Sequence, residues 1–297
     1  MGKQKSEFIA IIGRPNAGKS SVMNRVMGQK IVIVSNKPQT TRTRVMGVLT
    51  EDDIQYVFVD TPGFHKPRTV LGENMVKAVG DGMSGVELCL LIVDAEKEPS
   101  EIEKELCKKL KASKQAAVLV INKIDLIKEK SDLISIILKY NALYDFAAVV
   151  PVSAKNGDGF SDLMGEVKKF AHDGVHMFDS DTLTDQPERV LAAEFIREKL
   201  LLTLDKEIPH GTAVVIERFK DRDDGILDID ATIFCEKKTH KGIIIGKGGQ
   251  TLKRIGILAR RDLEDFFGCQ VNLTCWVKVR EGWRNQRSAI HNFGLDS

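Results

Sequence analysis

The chain has 297 residues, of which 42% are apolar, so it exceeds the usual size of one domain and we predict two. Its 44 basic and 42 acidic residues nearly balance, which argues against a nucleic-acid or membrane partner recognised through net charge alone. Five cysteines without a C-x-x-C pair argue against a disulfide framework and a zinc site, and no apolar run approaches the roughly 18 residues of a membrane span. We therefore expect a cytoplasmic protein.

The first part of the chain alternates apolar runs with amphipathic segments. We predict buried strands at residues 8–12, 56–60, 86–94, 116–122 and 147–153, and helices at 18–27, 101–112, 131–140 and 161–171. Residues 45–51 and 54–60 flank a short Asp-Asp turn, so they predict a hairpin that adds one antiparallel edge strand. This order predicts an α/β domain over residues 1–175 with a mostly parallel sheet.

The second part has a different pattern. Residues 176–187 lose periodicity and gather Asp, Thr and Pro, which is typical of a linker. After it we predict a helix at 188–203, strands at 212–219 and 226–235, a helix at 250–267 and a strand at 270–279. Residues 188–297 therefore form a predicted α+β domain.

A phosphate-binding motif follows the first predicted strand. The sequence GRPNAGKS at residues 13–20 matches G-x-x-x-x-G-K-S, with a strand before it and a helix after it. The glycines let backbone N–H groups turn toward an anion, Lys19 can neutralise the β- and γ-phosphates, and Ser20 can reach Mg²⁺. The predicted nucleotide-binding residues here are Gly13, Arg14, Pro15, Asn16, Ala17, Gly18, Lys19, Ser20 and Ser21.

Three further motifs predict which nucleotide binds. Asp60-Thr61-Pro62-Gly63 ends a strand, which places an acid near the metal and a glycine N–H near the γ-phosphate. Asn122-Lys123-Ile-Asp125 ends another strand, and the Asp125 carboxylate can accept two hydrogen bonds from guanine, whereas adenine lacks donors in that arrangement. Ser153-Ala154-Lys155 can supply a backbone N–H to guanine O6. Together these motifs predict a GTP site.

Residues 8–155 resemble the translation-factor class of GTPases, in the branch that includes the Era family. The resemblance rests on GRPNAGKSS at 13–21, SNKPQTTRTR at 35–44, DTPG, NKID and SAK, all at the family's spacing. It implies that Thr41, or alternatively Thr40, closes on Mg²⁺ in the GTP state. Residues 29–44 and 61–83 are then expected to be mobile switches. The predicted Mg²⁺ ligands are Ser20, Thr41 and Asp60.

The residue after Gly63 is Phe64, where Ras-like enzymes have a glutamine that orients the attacking water. The resemblance implies that an apolar residue is usual here, and that a potassium ion held partly by Asn16 takes over part of the charge stabilisation. The predicted catalytic residues are Lys19, Asn16, Thr41 and Gly63.

A second glycine-rich stretch, HKGIIIGKGGQTLKRIG, spans residues 240–256. It is not a second P-loop, because Gly248 rather than Ser or Thr follows Lys247. It fits the G-x-x-G loop that KH domains close on a nucleic-acid backbone, between an apolar helix-forming stretch and a helix. Residues 237–287 carry twelve basic and four acidic side chains, which predicts a basic face. The predicted RNA-binding residues are Ile244, Ile245, Gly246, Lys247, Gly248, Gly249, Lys253 and Arg254.

The resemblance extends to the second domain through REKLL at 197–201, IERF at 216–219, IGKGG at 245–249, IGILAR at 255–260 and WVKVREGWR at 276–284. These segments resemble the C-terminal type II KH domain of the Era family. The resemblance implies binding of small-subunit ribosomal RNA near its 3′ end and a role in maturation of the small ribosomal subunit. We expect a monomer, and peripheral association with the inner face of the cell membrane stays open.

One alternative remains at this point: a P-loop enzyme acting on a small molecule, such as a nucleotide-dependent kinase, whose second domain supplies the substrate pocket. It requires an acceptor base near the γ-phosphate, and we identify no candidate for one in the sequence.

Overall fold

We describe a computed structural model that covers residues 4–37, 40–63, 69–83, 85–205 and 208–295. In the first domain the elements are β1 (Lys5–Ile12), α1 (Lys19–Val26), β2 (Val45–Glu51), β3 (Ile54–Asp60), α2 (Val70–Gly82), β4 (Leu88–Asp94), α3 (Glu101–Ser113), β5 (Ala117–Asn122), α4 (Lys130–Asn141), β6 (Ala148–Val152), α5 (Phe160–Val167) and β7 (His172–Asp173). All five predicted strands, the four predicted helices and the hairpin are confirmed, with shifts of a few residues at their ends.

The strands of the first domain form one sheet in the order β2-β3-β1-β4-β5-β6, and the short β7 pairs with β1. Apart from β2 and β7, which are antiparallel to their neighbours, the strands run parallel. Side chains of α1 and α5 pack on one face of the sheet, and those of α2, α3 and α4 pack on the other. This arrangement brings the carboxyl ends of β1, β3, β5 and β6 to one edge, where open α/β sheets bind ligands.

The second domain contains α6 (Glu188–Thr203), β8 (Ala213–Asp221), β9 (Leu227–Cys235), α7 (Lys238–Ile245), α8 (Gln250–Phe267), β10 (Val271–Val279) and α9 (Arg287–Asn292). Its sheet has the order β10-β9-β8, with β10 parallel and β8 antiparallel to β9. Helices α6, α7 and α8 cover one face through a common core. The predicted α+β pattern is confirmed, whereas α2 in the first domain and α9 here were not predicted.

The predicted linker is bound along much of its length to the first domain. The buried amide of Gln55 on β3 accepts hydrogen bonds from the backbone N–H groups of Met177 (2.8 Å) and Phe178 (3.0 Å) and donates to the carbonyl of Phe178 (2.9 Å). Further along, the Val48 N–H donates to the carbonyl of Leu183 at 2.9 Å. The segment therefore extends the first domain beside β2 and does not act as a free tether.

No helix within the described ranges combines the length and the apolar character needed to cross a membrane.

Glu7 on β1 is a buried carboxyl group that the sequence analysis did not single out. It is fully buried, and neither carboxylate oxygen has a hydrogen-bond partner among the described residues. Burial, with a smaller contribution from the nearby Glu87, raises the pKa of Glu7 to about 8. The folded protein therefore holds this group protonated at neutral pH.

Replacing this group by its uncharged isostere, Glu7→Gln, is expected to stabilise the protein at neutral pH. The unfolded glutamate loses its proton near pH 4.5 and the folded one near pH 8, so the wild-type free energy of unfolding falls as the pH rises through this window. We expect the variant to gain about 3 kcal/mol at pH 7 and less than about 1 kcal/mol at pH 5. Urea unfolding at both pH values measures this difference. An equal effect at both would contradict the buried-acid assignment.

Candidate functional site

Two positions in the loop between β1 and α1 accept only glycine. Gly13 has φ +150°, and a Cβ there would lie 2.4 Å from the carbonyl oxygen of Ile92. Gly18 has φ +97°, and its Cβ would lie 2.1 Å from Nδ2 of Asn122. Lys19 begins α1, is buried, and its Nζ donates to the carbonyl of Arg14 at 3.3 Å. Burial lowers the pKa of Lys19, and Asp60 opposes this shift.

Ser20, Thr41 and Asp60, which the sequence analysis proposed as Mg²⁺ ligands, converge at one point. Ser20 Oγ is 3.0 Å from Asp60 Oδ2 and 3.1 Å from Thr41 Oγ1, and the latter is 3.2 Å from the same carboxylate oxygen. The other oxygen of Asp60, Oδ1, is buried without a hydrogen-bond partner among the described residues. Burial raises the pKa of Asp60, against the effect of Lys19. An all-oxygen set with an unpartnered buried carboxylate oxygen fits a hard cation such as Mg²⁺.

The neighbouring threonine is used differently. The hydroxyl of Thr40 donates to the carbonyl of Lys37 at 2.7 Å and lies 3.1 Å from the Ser35 hydroxyl. Of the two threonines, Thr41 is therefore the one whose hydroxyl lies beside Ser20 and Asp60.

Two loops at the carboxyl ends of β5 and β6 meet the phosphate loop. Nδ2 of Asn122 donates to the carbonyl of Ala17 at 3.0 Å, and Oδ1 of Asn122 accepts from the Ala154 N–H at 3.1 Å. The hydroxyl of Ser153 donates to Asp125 Oδ1 at 2.7 Å, and Asp125 is otherwise exposed. The structure thus brings the predicted guanine-binding segments together beside the phosphate loop.

Asp94, at the end of β4, links these loops and was not predicted. Its Oδ2 lies 2.8 Å from Lys123 Nζ and 3.6 Å from Nη2 of Arg14. Burial alone would raise the pKa of Asp94, but the ammonium of Lys123 and the guanidinium of Arg14 lower it overall. Lys123 also donates to the carbonyl of Asn16 at 3.0 Å. Asp94 is the last residue of a parallel strand, and this position is the sequence signal that could have pointed to it.

Gly63 and Asn16 line the phosphate loop on the side of the switches. A Cβ on Gly63 would lie 2.9–3.0 Å from atoms of Pro15, so the two backbones approach closely. Asn16 has φ 64°, and its Nδ2 donates to the carbonyl of Asn36 at 2.7 Å. Phe64, and Pro38 and Gln39 of the PQTTR motif, lie outside the described residues.

The switch segment, residues 29–44, contacts the second domain through several side chains. Arg42 is buried and donates to the carbonyls of His210 (2.9 Å) and Thr212 (2.7 Å). Lys30 pairs with Glu198 on α6 and Asp262 on α8. The described residues of this segment pack against the second domain in this structure, and its mobility between nucleotide states stays a prediction.

The G-x-x-G loop joins α7 to α8, as predicted. Gly246 has φ +74°, and a Cβ there would lie 2.2 Å from Oγ1 of Thr251. Gly248 and Gly249 have φ +58° and +77° but open space around the Cβ position. The three charged residues that are predicted to bind RNA are all exposed, namely Lys247, Lys253 and Arg254.

The prediction of Ile244 as an RNA-binding residue does not fit the structure. Ile244 is fully buried in the core of the second domain, so it cannot line a surface groove, and Ile245 is half-buried. An open groove of about 390 Å³ lies between α8 and β10, and the predicted residue Lys253 is among those that line it. Its lining residues are Gly249, Leu252, Lys253, Gly256, Ile257, Arg260, Leu273, Thr274 and Cys275. Ile257 and Arg260 on α8 are exposed and line this groove, and neither was predicted as a site residue.

These features place the protein in the class of P-loop GTPases that carry a KH domain. The family model described as 50S ribosome-binding GTPase matches residues 8–123, and a KH domain model matches residues 207–284. GTPase Era of Clostridioides difficile (strain 630) is 48% identical over 293 residues, which cover 98% of this chain and 99% of that protein. The chain belongs to the Era family of GTPases.

Other comparisons agree along the full length. GTPase Era of Ruminiclostridium cellulolyticum is 47% identical over 290 residues, covering 98% of this chain and 97% of that protein. The crystal structure of Era in complex with MgGDPNP and nucleotides 1506–1542 of 16S ribosomal RNA has a TM-score of 0.95 at 35% identity, covering 99% of this chain and all of that one. Membership in this family overturns the alternative of a kinase-like enzyme with a substrate domain.

Proposed function

We propose that this GTPase binds small-subunit ribosomal RNA near its 3′ end and assists maturation of the small ribosomal subunit. The observation that carries the proposal is the similarity over 99% of the chain to Era bound to 16S ribosomal RNA nucleotides, with a TM-score of 0.95. The exposed lysines at and beside the G-x-x-G loop supply the charge that an RNA backbone requires. We place this activity in the cytoplasm and in a monomer, and association with the membrane surface stays a prediction.

In the proposed nucleotide site, Lys19 contacts the β- and γ-phosphates and Asp125 binds the guanine base. Ser20, Thr41 and Asp60 would hold Mg²⁺, which fits their convergence within 3.0–3.2 Å. Bound Mg²⁺ neutralises negative charge on the phosphates during transfer. The backbone of Gly63, which lies against Pro15, supports the γ-phosphate side of the site.

The RNA assignment is tested by titrating the full chain with a labelled fragment from the 3′ end of small-subunit ribosomal RNA and with a shuffled RNA of equal length. We expect tighter binding to the ribosomal fragment, because exposed bases in the α8–β10 groove add to the sequence-independent phosphate contacts. Equal affinity for both RNAs would show that the protein binds polyanions without sequence preference, and this would contradict the proposed function.

We also propose that a potassium ion assists hydrolysis beside Asn16. The side chain of Asn16 spans from the phosphate loop to Asn36 in the switch segment, at 2.7 Å, so its amide lies between the two segments that enclose the phosphates. Hydrolysis is expected to be about tenfold faster in potassium than in sodium buffer, because a fixed cation stabilises charge that develops in the transition state.

The variant Asn16→Ala should lose this difference between the two salts and keep its GDP affinity. Single-turnover rates at matched ionic strength measure both effects. Equal wild-type rates in potassium and sodium would count against a cation-assisted mechanism.

A further inference from the structure

The second domain holds the switch segment on both sides of Thr41. The guanidinium of Arg197 on α6 donates from Nη2 to the backbone carbonyl of Thr40. On the other side, Arg42 donates to the carbonyls of Thr212 (2.7 Å) and His210 (2.9 Å). The residue between these anchors is Thr41, whose hydroxyl lies within 3.2 Å of Ser20 and Asp60.

Both anchors are buried and make more than one hydrogen bond. Arg197 is only 1% exposed, and Glu194, one helical turn earlier, accepts hydrogen bonds from its Nε (2.7 Å) and Nη2 (2.6 Å). This two-point pairing fixes the plane of the guanidinium and thereby the direction of the bond to Thr40. Arg42 is 3% exposed and is fixed by two carbonyl groups of the turn that precedes β8.

The switch segment has little structure of its own to hold Thr41 in place. From the end of α1 to the start of β2, its described residues belong to no helix or strand, so no regular backbone ladder fixes them. Within the described residues, the Thr40 hydroxyl bonds only to neighbours in the segment, Ser35 and Lys37. The bonds to the Thr40 carbonyl and from the Arg42 side chain come from the second domain.

We propose that Arg197 is a positioning residue for GTP hydrolysis. By holding the carbonyl of Thr40, with Arg42 as the second anchor, it keeps the hydroxyl of Thr41 beside Ser20 and Asp60. The proposal rests on the Mg²⁺-binding role assigned to Thr41 above. In consequence, the RNA-binding domain completes the metal site of the nucleotide domain without contacting the nucleotide.

The test compares four variants of the full chain: Arg197→Gln, Arg197→Lys, the control Arg189→Gln, and the reference Thr41→Ala. Arg189 is an exposed arginine on the same helix. Three quantities are measured for each: the single-turnover rate of GTP hydrolysis, the Mg²⁺ concentration needed for binding of a non-hydrolysable GTP analogue, and the GDP affinity.

We expect Arg197→Gln to hydrolyse GTP about 10- to 100-fold more slowly, because small displacements of a reacting geometry have effects of this size. It should also need more Mg²⁺ for analogue binding while its GDP affinity stays unchanged. Arg197→Lys, which can still donate one hydrogen bond to Thr40, should recover part of the loss, and Arg189→Gln should behave as wild type.

Two results would overturn the proposal. One is a wild-type Mg²⁺ requirement and hydrolysis rate for Arg197→Gln when Thr41→Ala changes both. The other is an equal loss of GDP and analogue affinity in both Arg197 variants, which would assign this residue to folding alone. If Thr41→Ala itself leaves the Mg²⁺ requirement unchanged, the metal assignment fails instead, and the two failures are thereby distinguished.

Discussion

Substituting Asp125→Asn is expected to lower GTP affinity about 10³-fold and to make xanthosine triphosphate the preferred nucleotide. In the wild-type site the exposed carboxylate can accept hydrogen bonds from guanine N1–H and the 2-amino group. The asparagine side chain has one acceptor oxygen, which takes the place of Asp125 Oδ1 and accepts the hydrogen bond that Ser153 donates at 2.7 Å in the wild type. Its NH₂ group then faces the base. On guanine this NH₂ group would face hydrogen-bond donors. On xanthine it would face an acceptor, the 2-oxo group.

The local structure should survive this change, because the hydrogen bond from Ser153 can be kept by the amide oxygen. Competition of GTP and xanthosine triphosphate for a fluorescent nucleotide measures the preference. The matched control is Asp132→Asn, at an exposed position of α4, which should bind GTP as wild type does. Retained GTP preference in Asp125→Asn would show that base recognition lies elsewhere.

The convergence of the nucleotide-site motifs could be predicted from sequence because each motif is contiguous. Each lies on one loop after one strand, and parallel strands bring such loops to a common edge without further information. The convergence of Ser20 and Asp60, at 3.0 Å, follows from that rule alone. Thr41 required the family resemblance, since the switch segment has no periodic pattern from which its position could be inferred.

Features that depend on contacts between distant residues could not be predicted. Helix α2 contains Gly72, Gly80 and Gly82, each of which weakens helix propensity, and it is supported by packing of Leu71 and Met75 against the second domain. Arg42 looks like a surface residue in the sequence but is buried by carbonyl groups some 170 residues away.

The error at Ile244 has a similar origin. Three consecutive isoleucines, at 243–245, do not reveal which one faces the core. The structure resolves this, because Ile243 is 50% exposed and Ile244 fully buried. The groove wall formed by β10 comes from a strand that lies more than twenty residues after the loop, so the loop sequence alone could not locate it.

Placing two carboxylates in the G-x-x-G loop, as Lys247→Asp with Gly248→Asp, is expected to lower RNA affinity by about 100-fold or more near physiological salt. The change puts like charge against phosphate and fills the space that the RNA backbone must approach. The structure favours Gly248 over Gly246 for this test. A side chain at Gly248 meets no atom within 4 Å and its φ of +58° is one that Asp tolerates, whereas a Cβ at Gly246 would collide with Thr251.

The fold and GTP affinity should therefore be kept, and the melting temperature should fall only by the small amount that a side chain at a left-handed φ costs. The matched control, Lys220→Asp with Gly225→Asp, has the same charge change and also introduces a side chain at an open glycine. Both control positions lie in the β8–β9 hairpin. This hairpin contacts Gln270, which follows the end of α8 that is remote from the G-x-x-G loop. Because α8 has 18 residues, this end lies about 27 Å from the loop.

The measurement is RNA titration of wild type, loop variant and control over a salt series, with a GTP analogue and with GDP. Wild-type affinity should fall steeply with salt as lysines and arginines release counterions, and the loop variant should show a smaller slope because it has lost phosphate contacts. The linker is bonded to the first domain, so we expect a difference between the two nucleotide states to be transmitted through the contacts of both switch ranges with the second domain. These contacts are those of Lys30 with α6 and α8, of Arg42 with the turn before β8, and of Leu71 and Met75 of α2 with the core around Trp283. If the loop variant binds the ribosomal fragment as tightly as the control, the G-x-x-G segment is only a turn between helices and the basic face serves another partner.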